Sequence, residues 1–152
     1  MISRKSAVLL LILFITPVII YLIWPSDESR IRKLFRKGAP AIEREMLDDV
    51  MAAVSFNYRD EQGLTYLSVK EGMRKVFQRM DNIKVEYEIT GIDVTATTAT
   101  ALLDVRIIAS YGTDTGYFMG DAAHPAHLTF FLEKERGGWL VTKAQGMQAA
   151  YH

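Results

Sequence analysis

The sequence predicts an α+β domain that follows one membrane-spanning helix, and three observations lead to this fold class. Residues 7–24 are apolar at 16 of 18 positions and carry no charge. Between residues 26 and 80 the apolar side chains recur at helical spacing, and from residue 82 they alternate with polar ones as in β-strands. Helices followed by a run of strands indicate a helical layer packed on one antiparallel sheet.

The composition of the chain excludes several classes of protein. Its 18 Lys and Arg residues balance 18 Asp and Glu residues, so the chain lacks the excess positive charge of a nucleic-acid binder and no such partner is expected. The absence of Cys excludes a disulfide scaffold, a Cys-ligated metal site and a Cys nucleophile. The length of 152 residues corresponds to one domain.

Residues 7–24 are long enough for a membrane anchor. At a rise of about 1.5 Å per residue they nearly cross a hydrocarbon core of about 30 Å. The alternative is a cleaved signal peptide, whose apolar part is typically about 7–15 residues long and ends in small residues. Here the segment ends in Tyr21-Leu22-Ile23-Trp24-Pro25. We therefore interpret residues 1–24 as an uncleaved anchor and residues 25–152 as the folded domain.

The charges on the two sides of the anchor give conflicting indications of its orientation. Arg4 and Lys5 precede it, but five cations follow within residues 30–37, which by number would place the domain in the cytoplasm. A very short tail before a single apolar segment is typical of a signal anchor, and Asp27 and Glu28 are the first charges beyond it. We expect a single-pass protein of the bacterial inner membrane with its domain on the exported side. The lack of Cys fits an oxidising compartment.

Three helical segments are predicted after the anchor. Ser26 is a candidate N-cap of a helix to about residue 45, either one kinked helix or two short ones separated at Gly38-Ala39-Pro40. A short amphipathic run covers residues 47–54. Ser68 and Glu71 form a capping-box pattern that predicts the start of a third helix. The apolar face of this helix would consist of Val69, Met73, Val76, Phe77 and Met80.

Four strands are predicted in the second half of the chain. In the first strand Gly91 shifts the apolar positions by one, which indicates a β-bulge that bends the sheet. A hairpin turn is predicted at residues 135–138. Residues Tyr111–Ala123 are predicted to form a long loop at the rim of the fold or at a dimer interface. The other three strands are predicted at residues 101–109, 128–133 and 139–147.

This order of elements resembles that of the nuclear transport factor 2-like (SnoaL-like, cystatin-like α+β) superfamily. The shared features are a helix, a short helix, the turn Tyr58-Arg59-Asp60-Glu61-Gln62-Gly63, a further helix and four strands, the last starting at Gly-Gly-Trp. The chain is most similar to membrane-anchored bacterial members with this turn after a Leu-Asp-Asp-Val helix. The resemblance implies a cone whose pocket lies between the concave sheet face and the helices, and often a dimer across the outer sheet face. It implies no reaction, because the superfamily includes isomerases, dehydratases and members without known catalysis.

Four residues are candidates for lining that pocket: Tyr58, Asp60, Tyr87 and Phe130. In the fold implied by the resemblance the turn at Tyr58 and Asp60 opens toward the pocket, and Tyr87 has the inward parity of its strand. Related isomerase-like pockets use an acid as proton shuttle and a phenol as donor to an enolate. The competing interpretation is that Asp60 caps its own turn, while the inner strand positions, without a second acid or His, hold a core or an apolar ligand. No catalytic residue is therefore assigned.

The remaining polar clusters are interpreted as structural. His124 and His127 lie close to Asp121, but two His three residues apart in an extended strand point to opposite faces, so no metal site is expected. No phosphate-binding loop or dinucleotide motif is present and no cofactor is expected. A cross-strand ion ladder on the outer sheet face is predicted from Lys84, Glu86, Glu88, Asp104 and Arg106.

The expected function is non-catalytic, either binding of a small apolar ligand or protein assembly in the cell envelope, with a homodimer across the outer sheet face. The alternative is a small-molecule isomerase or dehydratase that uses Asp60 as base and Tyr58 or Tyr87 as donor. That enzyme requires a pocket of roughly 300–1,000 Å³. A cone filled by its own Met and Phe side chains would instead leave the outer sheet face as the functional surface.

Overall fold

A computed structural model shows the fold of the chain and describes residues 3–146. The described residues contain four helices, α1 (Arg4–Ile23), α2 (Asp27–Glu43), α3 (Leu47–Met51) and α4 (Tyr66–Arg79). The same range contains five strands, β1 (Asp81–Thr95), β2 (Thr98–Tyr111), β3 (Asp114–Met119), β4 (Ala126–Glu135) and β5 (Gly138–Gln145). Helices therefore precede one antiparallel sheet, which is the α+β class that the sequence predicts.

The first helix coincides with the predicted anchor. The α1 helix begins after Ser3, whose hydroxyl accepts the Ser6 N–H, and it continues through Pro17 to Ile23. It is long and apolar enough to cross a membrane, and none of its side chains is buried by the rest of the protein. By length and composition α1 is suited to a single membrane span.

The α2 helix is continuous, so Gly38 and Pro40 do not divide it in two. Ser26 caps it as predicted, since its hydroxyl accepts the Ser29 N–H at 3.1 Å. Ile31 is fully buried under the sheet, whereas the opposite side of the helix faces solvent. The exposed cations on that side are Arg32, Lys33, Arg36 and Lys37.

Two carboxylates fasten α2 to the sheet. Asp27 Oδ1 accepts hydrogen bonds from Trp139 Nε1 at 3.1 Å and from Lys134 Nζ at 3.0 Å. The bond from Trp139, followed by that from Lys134, lowers the pKa of Asp27 below its usual value. At the other end of the helix Glu43 Oε1 accepts the Val85 N–H at 3.0 Å. These contacts set the distance between α2 and the two edges of the sheet.

The predicted capping box of the third helix is wrong. The α4 helix begins at Tyr66, and its N-cap is Thr65, whose hydroxyl accepts the Ser68 N–H. Thr65 and Ser68 have the same three-residue spacing as the predicted pair, and a bridge between Arg59 and Thr65 fixes the chain just before the helix. Glu71 does not reach back to the helix start but pairs with Arg74 at 2.6 Å.

The order of strands in the sheet is β1-β2-β4-β5, and β3 pairs with β2. The register of β1 and β2 shifts between Ile89 and Gly91, so the predicted bulge is confirmed. Another of the register shifts lies between Phe131 and Leu132, where β4 meets β5. Both irregularities occur in long strands, which must bend for one sheet to enclose a helical layer.

The predicted long loop Tyr111–Ala123 is wrong, because Asp114–Met119 within it forms β3. The half of β2 from Thr98 to Val105 pairs with β4, and the half from Ile107 to Tyr111 pairs with β3. The described sheet therefore has five strands rather than four. The second half of β2 projects past β4 and would otherwise leave its backbone N–H and C=O groups unpaired along that edge.

The core lies between the concave face of the sheet and the helices. The strand positions predicted to face inward are buried, among them Ala101, Leu103, Val105 and Leu128. Tyr87 on β1 and Phe130 on β4 are half-buried on the same face and pack against this core. The inward parity assigned from the alternation of apolar residues is thus confirmed for these strands.

Candidate ligand-binding cavity

A cavity of about 470 Å³ lies between the concave sheet face and helices α2, α3 and α4. This volume falls within the range of roughly 300–1,000 Å³ that is typical of small-molecule sites. The wall is mostly aliphatic and aromatic. The helical side includes Leu34, Phe35, Ile42, Val69, Met73 and Val76, and the sheet side includes Ile83, Val85, Leu103, Val105 and Ile107.

All four residues singled out from the sequence line this cavity: Tyr58, Asp60, Tyr87 and Phe130. Phe130 packs on Phe35 with ring centroids 5.2 Å apart, which joins β4 to α2 across the wall. Tyr58 and Asp60 belong to the turn between α3 and α4, on the side of the sheet formed by β5. Tyr87 lies on β1, at the opposite side of the sheet.

The polar lining residues gather beside the end of β5. We name this group, Tyr58, Asp60, Glu61, Gln62 and Gln145, the polar end of the cavity. The backbone brings the turn to β5 through the Arg59 N–H, which donates to the Thr142 carbonyl at 3.1 Å. The side of the cavity toward β1 is apolar except for Tyr87.

Both oxygens of the Asp60 carboxylate accept hydrogen bonds within its own turn. The Oδ1 atom accepts the N–H groups of Gln62 and Leu64, each at 2.9 Å, and Oδ2 accepts the Tyr58 hydroxyl at 3.2 Å. Gly63 completes the turn with φ +80°, a conformation that favours glycine. Asp60 thus caps the turn, as the structural interpretation of the sequence expects.

Tyr58 holds its proton firmly. Its side chain is 6% exposed, and burial, followed by the negative charge of Asp60 and the hydrogen bond to it, raises the pKa of Tyr58 to about 12. At neutral pH the phenol is therefore a hydrogen-bond donor to Asp60. The arrangement makes Tyr58 a support of the turn rather than a free acid.

Glu61 is an ion-paired carboxylate at the polar end. Lys143 Nζ lies 3.0 Å from Glu61 Oε1, and the Gln145 amide donates to the same oxygen. The hydrogen bond from Lys143 is the largest cause that lowers the pKa of Glu61 below its usual value. These contacts fasten the turn to β5 and offset the charge of Glu61.

Tyr87 does not join the Tyr58 and Asp60 pair. Within residues 3–146 no side chain or backbone group forms a hydrogen bond with the Tyr87 hydroxyl. It lies opposite Val105 on the inner face, on an otherwise apolar stretch of wall. The structure therefore brings together Tyr58 and Asp60, but not Tyr87 and Asp60.

His124 and His127 contact different carboxylates. His124 Nδ1 lies 3.5 Å from Asp121 Oδ1, whereas His127 Nδ1 lies 2.5 Å from Asp104 Oδ1 on the neighbouring strand. Hydrogen bonds from the backbone N–H groups of His124 and then Ala123 lower the pKa of Asp121. In the part of the chain that the structure describes, no group of three His, Asp or Glu side chains is placed to hold a metal ion.

The predicted cross-strand ion ladder on the outer face is wrong, because among the described residues no salt bridge joins its five members across β1 and β2. Lys84 contacts Glu86 at 3.4 Å along the same strand. Arg106 lies opposite Glu86 but donates to the Asp121 carbonyl at 2.8 Å, because the chain after β3 passes over it. Asp104 pairs with His127, a contact that requires the β2 and β4 register.

Sequence reasoning missed three residues of the polar end, namely Glu61, Gln62 and Gln145. Glu61 and Gln62 stand in the same turn as Asp60, so their position in the sequence was a usable signal. Gln145 lies near the end of β5, and its place at the cavity depends on its contact with Glu61. Glu61 and Gln145 are 84 residues apart in the chain, so no local sequence pattern indicates this contact.

No family model and no curated protein matches this chain, but solved structures do. A cystatin-like domain of unknown function from Nostoc punctiforme is 20% identical, covers 78% of this chain and 74% of its own, and has a TM-score of 0.61. An NTF-2-like protein of unknown function from Shewanella oneidensis is 17% identical over 78% of this chain and 97% of its own, with a TM-score of 0.58.

A ketosteroid isomerase-like protein from Erwinia carotovora atroseptica is 15% identical, covers 80% of this chain and 95% of its own, and has a TM-score of 0.60. At such identities the likeness is one of fold and carries no activity. The helices over a bent antiparallel sheet, the cavity between them and these three neighbours agree: this chain has the nuclear transport factor 2-like, cystatin-like α+β fold.

Proposed function

We propose that this chain is a membrane-anchored binding domain that holds a small, mostly apolar molecule in its cavity. The observation that carries the proposal is the cavity of about 470 Å³ that the protein's own Met and Phe side chains leave open. An apolar molecule that leaves water for this wall gains about 0.8 kcal/mol for each buried CH₂ group. The apolar helix α1 would hold this binding site at a membrane.

Binding is better supported than proton transfer. A general base needs a carboxylate oxygen that can reach the substrate, but both Asp60 oxygens already accept hydrogen bonds. Glu61, the other carboxylate at the described cavity wall, is paired with Lys143. The isomerase-like neighbour favours the alternative, an isomerase or dehydratase with Asp60 as base and Tyr58 or Tyr87 as donor. In that enzyme the substrate would have to displace the Tyr58 hydroxyl from Asp60.

A pair of glycine substitutions tests the binding function. Gly38 lines the cavity and Gly72 does not, both lie within helices, and a Cβ added at either meets no atom within 4 Å. Gly38→Phe therefore adds a ring at the cavity wall that takes up part of the cavity, while Gly72→Phe places the same ring outside it. The neutral fluorophore N-phenyl-1-naphthylamine is titrated into each full-length variant in identical nanodiscs.

We expect the wild-type chain and Gly72→Phe to show the same saturable rise in fluorescence above that of empty nanodiscs. Gly38→Phe should lose this rise, because its ring occupies the space that the probe needs. Equal fluorescence from both variants would contradict binding in the cavity, since the membrane contribution is the same in each sample.

We also propose that the domain lies on the exported side of the bacterial inner membrane. Asp27 and Glu28, the first charges after α1, support this side, although exposed cations on α2 follow them. Because the chain has no Cys, the labelling of a single introduced thiol shows on which side of the membrane that residue lies. A membrane-impermeant maleimide should label Thr113→Cys, at an exposed hairpin turn, in cells with a permeable outer membrane, and should not label Ser3→Cys. The reverse pattern would place the domain in the cytoplasm.

The assembly that we propose for this domain is a homodimer across the outer sheet face. Leu102 on β2 and Tyr117 on β3 are both 45% exposed on that face. On β4, the strand between β2 and β5, Phe131 lies opposite Lys143. Leu102→Glu should convert a dimer of the full chain into monomers in light scattering. Leu67→Glu, at an exposed position of α4, is the control that should not. A wild-type monomer would refute the proposal.

A further inference from the structure

We propose that the cavity selects molecules whose polar group donates hydrogen bonds and carries no negative charge, such as a long-chain amine or alcohol, and that it excludes carboxylates. This inference rests on the proposed binding function and adds the chemical class of the ligand. It is carried by the charges and hydrogen-bonding groups of the polar end.

The charged groups at the cavity wall are all negative. Asp60 and Glu61 line it, and within residues 3–146 no Lys, Arg or His does. Within the described range no cationic side chain is therefore placed at the cavity wall to receive an anionic head group.

The two carboxylates differ in how their charge is offset. Glu61 is paired with Lys143, which contacts it from β5 and does not itself line the cavity. Asp60 is met by two backbone N–H groups and one phenol, and among the described residues it forms no salt bridge. A second anion beside Asp60 would be repelled by its negative charge.

The hydrogen-bonding groups at the same end are rich in acceptors. Carboxylate oxygens only accept, and the side-chain carbonyls of Gln62 and Gln145 accept as well. An ammonium or hydroxyl group can donate to several of these atoms. The rest of the ligand would lie along the apolar wall toward β1, where the Tyr87 hydroxyl, which has no hydrogen-bond partner among the described residues, is suited to a second polar atom.

The test uses the full chain in zwitterionic nanodiscs with the single substitution Gly38→Cys. The natural chain has no Cys, so this thiol reports on the cavity alone, and its Cβ meets no atom within 4 Å. The rate at which methyl methanethiosulfonate modifies it is measured against increasing decylamine, decanol or decanoate. A bound alkyl chain covers the thiol and slows the reaction.

We expect decylamine and decanol to halve the rate at concentrations at least about tenfold lower than decanoate requires. In the Gly38→Cys background, Asp60→Asn should reduce this difference by improving protection by decanoate. Glu61→Gln should do the same, because it leaves the Lys143 charge unpaired near the cavity. Asp93→Asn, at an exposed carboxylate outside the cavity wall, is the matched control and should change nothing.

Each probe partitions equally into the nanodiscs of every variant, so a change between Asp60→Asn and Asp93→Asn arises in the cavity. Protection by decanoate at the same or a lower concentration than decanol would overturn the inference and leave the binding function standing. Protection by none of the three probes in a folded protein would overturn both. Should Asp60→Asn unfold the turn, the Glu61→Gln variant decides the role of charge.

Discussion

The inner and outer faces of the sheet are made from the same strands, yet different forces hold their side chains. On β1 the inner residues Ile83 and Val85 line the cavity. On the outer face of the same strand, Lys84 and Glu86 form an exposed ion pair with each other. Burial of an apolar side chain contributes about 1.5–3 kcal/mol, while an exposed ion pair contributes about 0–1 kcal/mol. The stability of this domain and its candidate site therefore depend mainly on the inner face of the sheet.

The largest expected effect comes from truncation on the inner face. Leu132→Ala, at a side chain that is 1% exposed, should lower the free energy of unfolding by about 2–5 kcal/mol through lost burial and the cavity left behind. Leu102→Ala, at the 45% exposed outer position, should cost less than about 1 kcal/mol. Urea unfolding of the full chain, followed through the fluorescence of buried Trp139, measures both. Equal losses would show that a partner covers the outer face.

Removal of the Tyr58 hydroxyl has the next largest expected effect. Tyr58→Phe deletes the donor to Asp60 Oδ2, and a hydrogen bond to a charged group is worth about 1.5–3 kcal/mol. Tyr87→Phe is the matched control, since the Tyr87 hydroxyl has no hydrogen-bond partner within residues 3–146. The same urea experiment should show a loss for Tyr58→Phe alone. Comparable losses would mean that Tyr87 also supports the inner face.

Alkaline pH should weaken the inner face through the same phenol. The pKa of Tyr58 is raised from 10.0 to about 12, so the folded state binds its proton more tightly than the unfolded state. This contribution to stability is complete below pH 10 and is lost as the pH rises through about 12. The difference in unfolding free energy between wild type and Tyr58→Phe should therefore shrink over that interval. A constant difference would contradict the raised pKa.

The smallest expected effect belongs to the outer face. Asp104→Asn removes the charge that contacts His127 across β2 and β4, but the histidine is 79% exposed. The loss of stability should stay below about 1 kcal/mol and should diminish further with added salt. Unfolding at low and high salt measures it. A loss of unfolding free energy similar to that of Leu132→Ala would show that the outer face contributes as much to stability as the inner face.

The alternation along the strands was predictable because it reflects a local rule. Ile83, Val85 and Tyr87 recur at every second position and all turn toward the helices. The bulge at Gly91 was predictable for the same reason, since the apolar parity changes there. Side chains on successive residues of a strand point to opposite faces whatever else the strand contacts.

The β3 strand was not predictable from its own residues. Asp114 and Gly116 have low strand propensity, and the segment Asp114–Met119 shows no apolar alternation. The segment becomes a strand because β2 extends past β4 and offers it backbone partners from Ile107 to Tyr111. Tertiary context therefore overrides local preference at this edge. The N-cap of α4 at Thr65 rather than Ser68 follows similarly from the backbone bridge between Arg59 and Thr65.

The candidate site was predictable in part. Tyr58, Asp60, Tyr87 and Phe130 line the cavity where the resemblance and strand parity place them. The engagement of Asp60 by Tyr58 depends on the angle of the turn, and the pairing of Glu61 with Lys143 joins residues far apart in the chain. Contacts of this kind leave no pattern in the sequence.

The sequence by itself determined the apolar helix at the N-terminus, the order of helices before strands and the inward parity of the strands, because each follows from local hydrophobic periodicity. Only the tertiary structure decided that the cone stays open as a cavity of about 470 Å³, that β3 joins the sheet, and that Asp60 caps its turn. Those outcomes depend on how closely distant segments pack and on which backbone groups remain to be paired.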